Sequence, residues 1–353
     1  MKNSSRTSYE IKAVHPSTWN HKKLKSILNK CKKKKVLVVG DVGVDRYTVG
    51  LVERISPEAP VPIVLVQEER LKLGLAANVA DNIRTLGGVP FLLGVVGEDR
   101  AAEDFRKILE TSDISSSHLV TDSTRRTVLK ERVVSDRQQI VRVDYESPHK
   151  MGETVEKEIL NRIQKILPKV DAVIVEDYAK GVVTNDLAAA IFKMAKKEKK
   201  LAAVDPNLRT PTGMYRGASI LTPNTKEAEH LSGVAIHDLH SLCKAGFAIL
   251  RKTEAQYVVI TRGKDGIAIF QQEKGKNKNR EVHLIPTYAR EVYDVSGAGD
   301  TVISVLMLCL VAGATIEEAA VLSNLAAGVE VGKRGTATVS PEEILQFLAS
   351  FES

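Results

Sequence analysis

The chain is short of cysteine, of long apolar runs and of any repeated unit, and each shortage closes a class of function. Cys31, Cys243 and Cys309 are the only three cysteines in 353 residues, and their spacing is unpaired. That excludes a disulfide framework and a zinc site, and the three read as free thiols in a reducing cytoplasm. The basic N-terminus lacks the apolar core of a secretory signal. The longest apolar run, 302–314, is too short to span a bilayer. No internal repeat is visible. The expectation is a cytoplasmic protein with no membrane partner.

What is present is a core-forming chain with an uneven charge. Hydrophobic residues make up 43% of it, enough for one large α/β domain or two smaller ones. The net charge of +7 is concentrated at one end. Residues 1–35 hold ten Lys, one Arg and one Glu, while the remainder carries 40 basic against 43 acidic residues. The body is mildly acidic, so nucleic-acid binding is a poor primary function. Residues 1–35 read as a solvated, flexible extension, with contact to an anion surface as the other reading.

From residue 35 onward, short β-rich runs alternate with helical patterns. Strands are expected at 36–40, 91–96, 171–176, 201–204, 220–222, 257–261 and 266–270. Helices are expected at 76–86, 100–110, 153–166, 185–197, 239–251, 298–311, 315–331 and 341–348. This alternation predicts an α/β fold: a mostly parallel central sheet with helices on both faces. Ligands then sit beyond the carboxyl ends of the strands, where Asp41, Asp177, Asp205 and Asn224 fall. Two stretches break the pattern. Residues 61–67 and 130–144 read as strands of mixed polarity, carrying Arg132, Gln138, Gln139 and Arg142. They predict a small projecting β-sheet, a lid over the site or a dimerisation flap. Residues 274–280 read as a polar hairpin tip.

The most informative run is Asp294-Val295-Ser296-Gly297-Ala298-Gly299-Asp300-Thr301, followed at once by apolar sequence. Small residues at a helix start let backbone N–H groups approach an anion, and the helix dipole adds positive potential there. Asp300 at that point is either an N-terminal cap or a functional carboxylate. A carboxylate beside an anion site suits phosphoryl transfer, with a base taking the acceptor's proton.

Five further motifs stand in a fixed order. They are Gly40-Asp41-Val42-Gly43-Val44-Asp45, Arg54-Ile55-Ser56-Pro57-Glu58-Ala59-Pro60-Val61-Pro62, Gly74-Leu75-Ala76-Ala77-Asn78, Asp177-Tyr178-Ala179-Lys180-Gly181 and Thr222-Pro223-Asn224-Thr225-Lys226-Glu227. Asn324 and Gly332-Lys333-Arg334-Gly335-Thr336 come late in the chain. Together with the Asp294–Thr301 run they resemble the ribokinase-like (PfkB) carbohydrate kinases over roughly residues 36–350. Residues 54–62, 177–181 and Gln138-Gln139 with Arg142 are most similar to its heptose 7-phosphate kinase branch.

The resemblance implies a ribokinase-like kinase domain at 36–350, with lid strands at about 45–70 and 124–146. It implies transfer of the ATP γ-phosphoryl group, with Mg²⁺, to the anomeric hydroxyl of heptose 7-phosphate. The product, heptose 1,7-bisphosphate, would feed ADP-heptose and lipopolysaccharide core synthesis. Alternatives are a ribokinase-like kinase for another sugar or sugar phosphate, and a non-catalytic binding regulator. A His-x-Gly-His nucleotidyltransferase signature is absent, so a separate adenylyltransferase is expected. A homodimer is expected, and dependence on a monovalent cation stays open.

Roles follow at the matching positions. Asp300 would be the base, with the N–H groups of Gly297, Ala298 and Gly299 as the anion hole. Asp41, Asp45, Gly74 and Asn78 would face the sugar. Arg132, Arg142 and Lys180, with Arg54 behind them, are candidates for its phosphate. Asn224 and Glu227 would organise Mg²⁺ mainly through water, and their spacing equally fits a helix capping box. Thr261, Gly263, Gly266 and Asn324 match the nucleotide region, where the glycines also fit plain turn chemistry. Two residues depart from the family pattern. Leu75 stands where relatives carry glycine, so either its backbone is ordinary or the pocket is reshaped. Asn207 stands where the heptose branch often has lysine.

Overall fold

The computed structural model describes residues 9–135, 138–147, 149–272, 280–289, 292–333, 335 and 337–351. Its centre follows from the apolar strands. In β2 (Lys35–Gly40), successive side chains point to opposite faces, and both faces are covered. Val36 and Val38 enter one apolar layer, while Leu37 and Val39 enter the other. The same division holds in β10 (Ala172–Glu176), where Ile174 faces one way and Val173 and Val175 the other.

Nine strands form this sheet. Their order is β1 (Tyr9–Ala13), β15 (Arg280–Ile285), β14 (Ile267–Gln271), β13 (Tyr257–Thr261), β12 (Ile220–Leu221), β11 (Leu201–Asp205), β10, β2 and β5 (Val89–Leu93). The pairs from β13 through β5 are parallel. β14 runs antiparallel to both its neighbours. On one face lie α1 (His21–Cys31), α2 (Ala76–Thr85), α3 (Arg100–Thr111), α8 (Ala298–Val311), α9 (Ile316–Glu330) and α10 (Pro341–Ala349). On the other lie α4 (Glu153–Ile166), α5 (Asn185–Lys197), α6 (Thr225–Ser232) and α7 (Leu239–Thr253). A short parallel pair, β6 (Val95–Val96) and β7 (Val120–Thr121), flanks the main sheet. Among the described residues no helix is long and apolar enough to cross a membrane.

The second sheet has the order β4 (Pro62–Leu75), β3 (Val42–Ile55), β8 (Val128–Ser135) and β9 (Gln138–Tyr145). It is longer than the sequence pattern suggested, because both strands of the first hairpin run 14 residues. Near the main sheet, Val42, Val44, Leu73 and Leu75 are buried. Toward its far end, Ile55, Val61, Leu65 and Val66 are exposed. The polar tip expected at 274–280 lies outside the described residues except for Arg280.

The N-terminal segment departs from the sequence reading. Residues 9–35 are not a flexible extension. β1 pairs in parallel with β15 along the outer edge of the central sheet, and Tyr9 stacks on Phe247 with ring centroids 5.5–5.7 Å from its aromatic neighbours. α1 buries Leu24, Ile27, Leu28 and Cys31. Those positions fall at i, i+3, i+4 and i+7, one stripe of a helix, with the lysines on the opposite side. Cys31 comes to 3.9 Å from Cys309 of α8, Sγ to Sγ, and both are free thiols. Leu28 is 1% exposed, so Leu28→Ala will lower unfolding free energy by about 2–5 kcal/mol. Urea titration checks this, and an unchanged midpoint would restore the mobile-extension reading.

Candidate active site

The carboxyl ends of the parallel strands bring acid groups together. Register places Gly40, Glu176 and Asp205 abreast at the ends of β2, β10 and β11. Gly40 is required there, since a Cβ would stand 2.2 Å from the carbonyl oxygen of Glu176. Across from this edge, Gly297 adopts φ 99°, a left-handed turn that aims the chain into α8. Asp300 therefore sits in the first turn of α8, and it is 9% exposed.

Two donors hold its carboxylate. Tyr178 Oη donates to Oδ1 at 2.7 Å, and Asn78 Nδ2 donates to Oδ2 at 2.6 Å. Burial outweighs both donors and pushes the Asp300 carboxyl up to about 6. Asp300 is not a helix cap: no side chain among the described residues caps the N-terminus of α8. Gly297, Ala298 and Gly299 are at least partly open to solvent. The N–H of Ala298 makes a 3.4 Å contact with the carbonyl of Val295. The start of α8 thus presents backbone donors and dipole toward solvent beside a carboxylate.

Glu176 and Asp205 lie beside Asp300, and carboxylate oxygens of the three fall within 4.8 Å of one another. Glu176 is 0% exposed, and neither of its oxygens has a hydrogen-bond partner among the described residues. Burial, with negative neighbours behind it, holds the Glu176 carboxyl well above the usual range.

On the second sheet, the registers of β4, β3, β8 and β9 set Lys72, Asp45, Lys130 and Asp144 in one row of a face and Arg70, Tyr47, Arg132 and Arg142 in the next. Asp45, 6% exposed, accepts from Arg132 Nη1 at 2.7 Å. Lys130 Nζ lies 5.8 Å from the ring centroid of Tyr178, which bonds Asp300. Among the described residues no carboxylate comes within ion-pair distance of Lys130, and burial lowers the proton affinity of its amine. Arg142 is half-exposed and bonds Asp144 with two nitrogens. Lys180 Nζ meets Glu146 at 2.5 Å. Arg54 is exposed toward the far end of β3.

Two expected sugar contacts turn out to be engaged by the protein itself. Asp41 accepts three backbone N–H groups, from Tyr178 at 3.2 Å, Lys180 at 3.0 Å and Val182 at 3.1 Å. It braces the loop carrying Tyr178, while burial pushes its carboxyl up to about 6. Asn78 spends its amide on Asp300. Gly74 does face the site: a Cβ there would lie 3.2 Å from the carboxylate of Asp45.

At the nucleotide end, Asn224 and Glu227 form the capping box of α6, each side chain accepting the other's backbone N–H, at 3.0 and 2.8 Å. Glu227 Oε2 is the capping atom, so a second carboxylate oxygen remains, which fits magnesium held through water and not by direct ligation. Thr261 bridges to Asn224 at the end of β13. Gly263 and Gly266 have φ of 54° and 80°, and a Cβ at Gly266 would strike the Ile285 carbonyl at 2.0 Å. Asn324 Nδ2 donates to the carbonyl of Pro286 at 2.7 Å, holding the adjoining loop. These four residues border one region, with structural duties there. Asn207 closes a turn, its Oδ1 accepting the Arg209 N–H at 3.0 Å. Arg334 and Thr336 lie outside the described residues.

Sequence reasoning missed Glu176, Tyr178 and Lys130 as individual site residues. Tyr178 carried a signal, since it lies inside the Asp177–Gly181 motif. Glu176 ends an apolar run, and Lys130 starts a strand of mixed polarity, so neither stands out.

Leu75 is the strained point. Its φ of 58° and ψ of −137° rule out an ordinary backbone, and the residue is 6% exposed. Leu75→Gly will be more stable than Leu75→Ala by about 1–2 kcal/mol, because glycine releases the strain that alanine retains. Chemical denaturation of both variants checks the order, and alanine as the more stable one would contradict the strain.

Comparison with known proteins places this geometry. Residues 33–343 match the profile of the pfkB family carbohydrate kinases. The chain is 41% identical over 317 residues to the bifunctional protein HldE of Helicobacter hepaticus, covering 90% of this chain and 64% of that protein. It is 43% identical over 309 residues to the bifunctional protein HldE of Geobacter sulfurreducens, covering 88% of this chain and 62% of that protein. The chain thus spans less than two thirds of the length of these relatives. Among solved structures, phosphofructokinase-2 from Escherichia coli in complex with potassium superposes with a TM-score of 0.74 at 17% identity, covering 91% of this chain and all of that one, 100%. Ribokinase from Arabidopsis thaliana complexed with ribose and ATP gives 0.69 at 18% identity, covering 90% and 99%. These two likenesses establish the ribokinase-like fold, and the profile match establishes the rest: the chain belongs to the pfkB family of carbohydrate kinases, ATP-dependent enzymes that phosphorylate sugars.

Proposed function

We propose that the chain transfers the γ-phosphoryl group of ATP to the anomeric hydroxyl of D-glycero-D-manno-heptose 7-phosphate. The product is heptose 1,7-bisphosphate, for ADP-heptose and lipopolysaccharide core synthesis. The observation that carries this reading is a buried carboxylate, Asp300, at the open N-terminus of α8, facing a lid surface that bears Lys130 and Arg132. The likeness to HldE proteins directs the choice of sugar.

In this mechanism Asp300 takes the proton of the anomeric hydroxyl as its oxygen attacks the γ-phosphorus. Tyr178 and Asn78 hold the carboxylate in place for that transfer. The N–H groups of Gly297, Ala298 and Gly299 stabilise charge on the transferring group, each worth roughly 3 kcal/mol at the transition state. Asp45 accepts from a sugar hydroxyl. The acceptor's own phosphate meets Lys130 first, since among the described residues no carboxylate stands within ion-pair distance of that amine, with Arg132 and Lys180 beside it. Asn224 and Glu227 would hold the magnesium bound with ATP, mainly through water, and that ion would supply neutralisation of the phosphate oxygens.

A coupled ADP-release assay with heptose 7-phosphate, fructose 6-phosphate and ribose tests the reading. Heptose 7-phosphate is expected to give the highest kcat/KM. Lys130→Ala is expected to raise its KM by about 10–100-fold, the size of one charge-assisted hydrogen bond, with the KM for ATP unchanged. Preference for another acceptor would make the chain a kinase of a different sugar. No turnover with any acceptor, while ATP still binds, would make it a binding protein.

A further inference from the structure

Two parts of the chain that lie outside the matched family region meet on one ring inside it. The family profile covers residues 33–343, and Trp19 and Phe351 stand beyond its two ends. Trp19 sits edge-on to Tyr288, with ring centroids 5.2 Å apart at 87°. Phe351 sits edge-on to the same ring at 5.0 Å and 70°. Trp19 and Phe351 also meet each other at 5.6 Å, and Phe347 of α10 backs Phe351 at 5.4 Å. Edge-to-face pairs at such distances stabilise beyond what burial alone gives. The cluster carries a cost as well: the indole N–H of Trp19 and the hydroxyl of Tyr288 are shut off from water, with no hydrogen-bond partner among the described residues.

Tyr288 belongs to the segment 286–289, which leaves β15 and leads toward Gly297 at the start of α8. Each of its four residues is held. The carbonyl of Pro286 accepts from Asn324 Nδ2 at 2.7 Å. Thr287 passes so close to Gly266 that a Cβ there would stand 2.7 Å from its N. Ala289 lies against Gly328 of α9, where a Cβ would stand 3.5 Å from its N. The fourth, Tyr288, is gripped by the rings of Trp19 and Phe351. Trp19 is itself fixed from both sides. β1 runs beside β15, and the Val14 N–H extends that ladder to the Leu284 carbonyl at 2.8 Å. After one 3₁₀ turn the Trp19 N–H donates to the Pro16 carbonyl at 3.0 Å, and Asn20 then caps α1. The N-terminal segment thus follows β15 and closes on the loop that β15 feeds.

We propose that Trp19 is a positioning residue for ATP: with Phe351 it clamps Tyr288 and so holds residues 286–289 in the shape that receives the nucleotide between Gly266 and Asn324. The role rests on the proposed placement of ATP beside those two residues. It concerns the nucleotide and not the sugar, whose candidate contacts Asp45 and Lys130 stand on the second sheet. Without the clamp the segment samples other shapes, and ATP binds only the fraction in the competent one.

Isothermal titration calorimetry of the full chain with ATP and Mg²⁺, without acceptor, tests this whichever sugar the enzyme takes. Trp19→Ala is expected to weaken ATP binding about 5–20-fold, the worth of one or two aromatic edge contacts. Phe351→Ala should weaken it in the same direction, and it serves if Trp19→Ala does not fold. Trp19→Phe should stay within about twofold of wild type, because a ring edge remains against Tyr288. Leu28→Ala controls for stability: it unfolds more easily yet should bind ATP as the wild type does. Wild-type affinity in both clamp variants overturns the proposal, as does an equal loss in Leu28→Ala. Asn324→Ala separates the clamp from the placement of ATP. If it alone weakens binding, the nucleotide site stands and the clamp falls. If none of the three weakens binding, the placement of ATP falls and the clamp falls with it.

Discussion

The site depends on keeping one carboxylate charged, buried and aimed. Asp300 sits in the first turn of α8, where helix dipole and free N–H groups favour an anion, yet it is almost wholly removed from water. Its two donors come from separate parts of the chain, Tyr178 from the loop after β10 and Asn78 from α2. Asp41, from the end of β2, holds the Tyr178 loop through three backbone bonds. Four elements must therefore dock correctly before the carboxylate is seated. The doubly covered parallel sheet supplies that rigidity, because its strand ends are fixed by apolar layers on both faces.

Charge is arranged around this seat in two opposed groups. Acidic side chains gather on the strand ends, with Glu176 and Asp205 beside Asp300. Basic ones gather on the second sheet, with Lys130 and Arg132 two positions apart on β8 and Lys72 across from Asp45. A sugar phosphate and a nucleotide would enter between them. The join between the second sheet and the body is the strained residue Leu75, where β4 ends immediately before α2, whose first turn bears Asn78. Strain of this kind persists only where surrounding structure over-determines the backbone. Here the register of β4 with β3 and the bond from the Ala76 N–H to the Asp41 carbonyl, 3.0 Å, do so.

Much of this was legible in the sequence, and the failures have physical reasons. The alternation of short apolar strands with amphipathic helices gave the layered fold, because strands buried on both faces read as continuous apolar runs. The Gly297–Asp300 run announced its helix start and its carboxylate through local rules alone. The N-terminal helix was hidden by charge: seven lysines in residues 22–34 dominate the composition, while the stripe Leu24, Ile27, Leu28 and Cys31 carries the packing. Glu176 was hidden for the opposite reason. Its neighbours Val173, Ile174 and Val175 are apolar, and only strand register, which the sequence does not encode locally, sets it beside Asp205. Asp41 and Asn78, expected at the sugar, are engaged by protein groups here, Asp41 by three backbone N–H groups and Asn78 by Asp300, which local sequence does not reveal.

The central claim is that Asp300 is the base, and the pH dependence of phosphoryl transfer tests it most directly. With its carboxyl at about 6, kcat should hold level at neutral pH and fall tenfold per pH unit below that point, as the carboxylate gains its proton. The same protonation relieves a buried charge, so stability from this group should rise, not fall, between pH 6 and 4. Asp300→Asn should reduce kcat by about 10²–10⁴-fold and remove the acid limb, while the protein stays folded. A profile flat to pH 5, or an Asp300→Asn enzyme within a few-fold of wild type, would contradict the account.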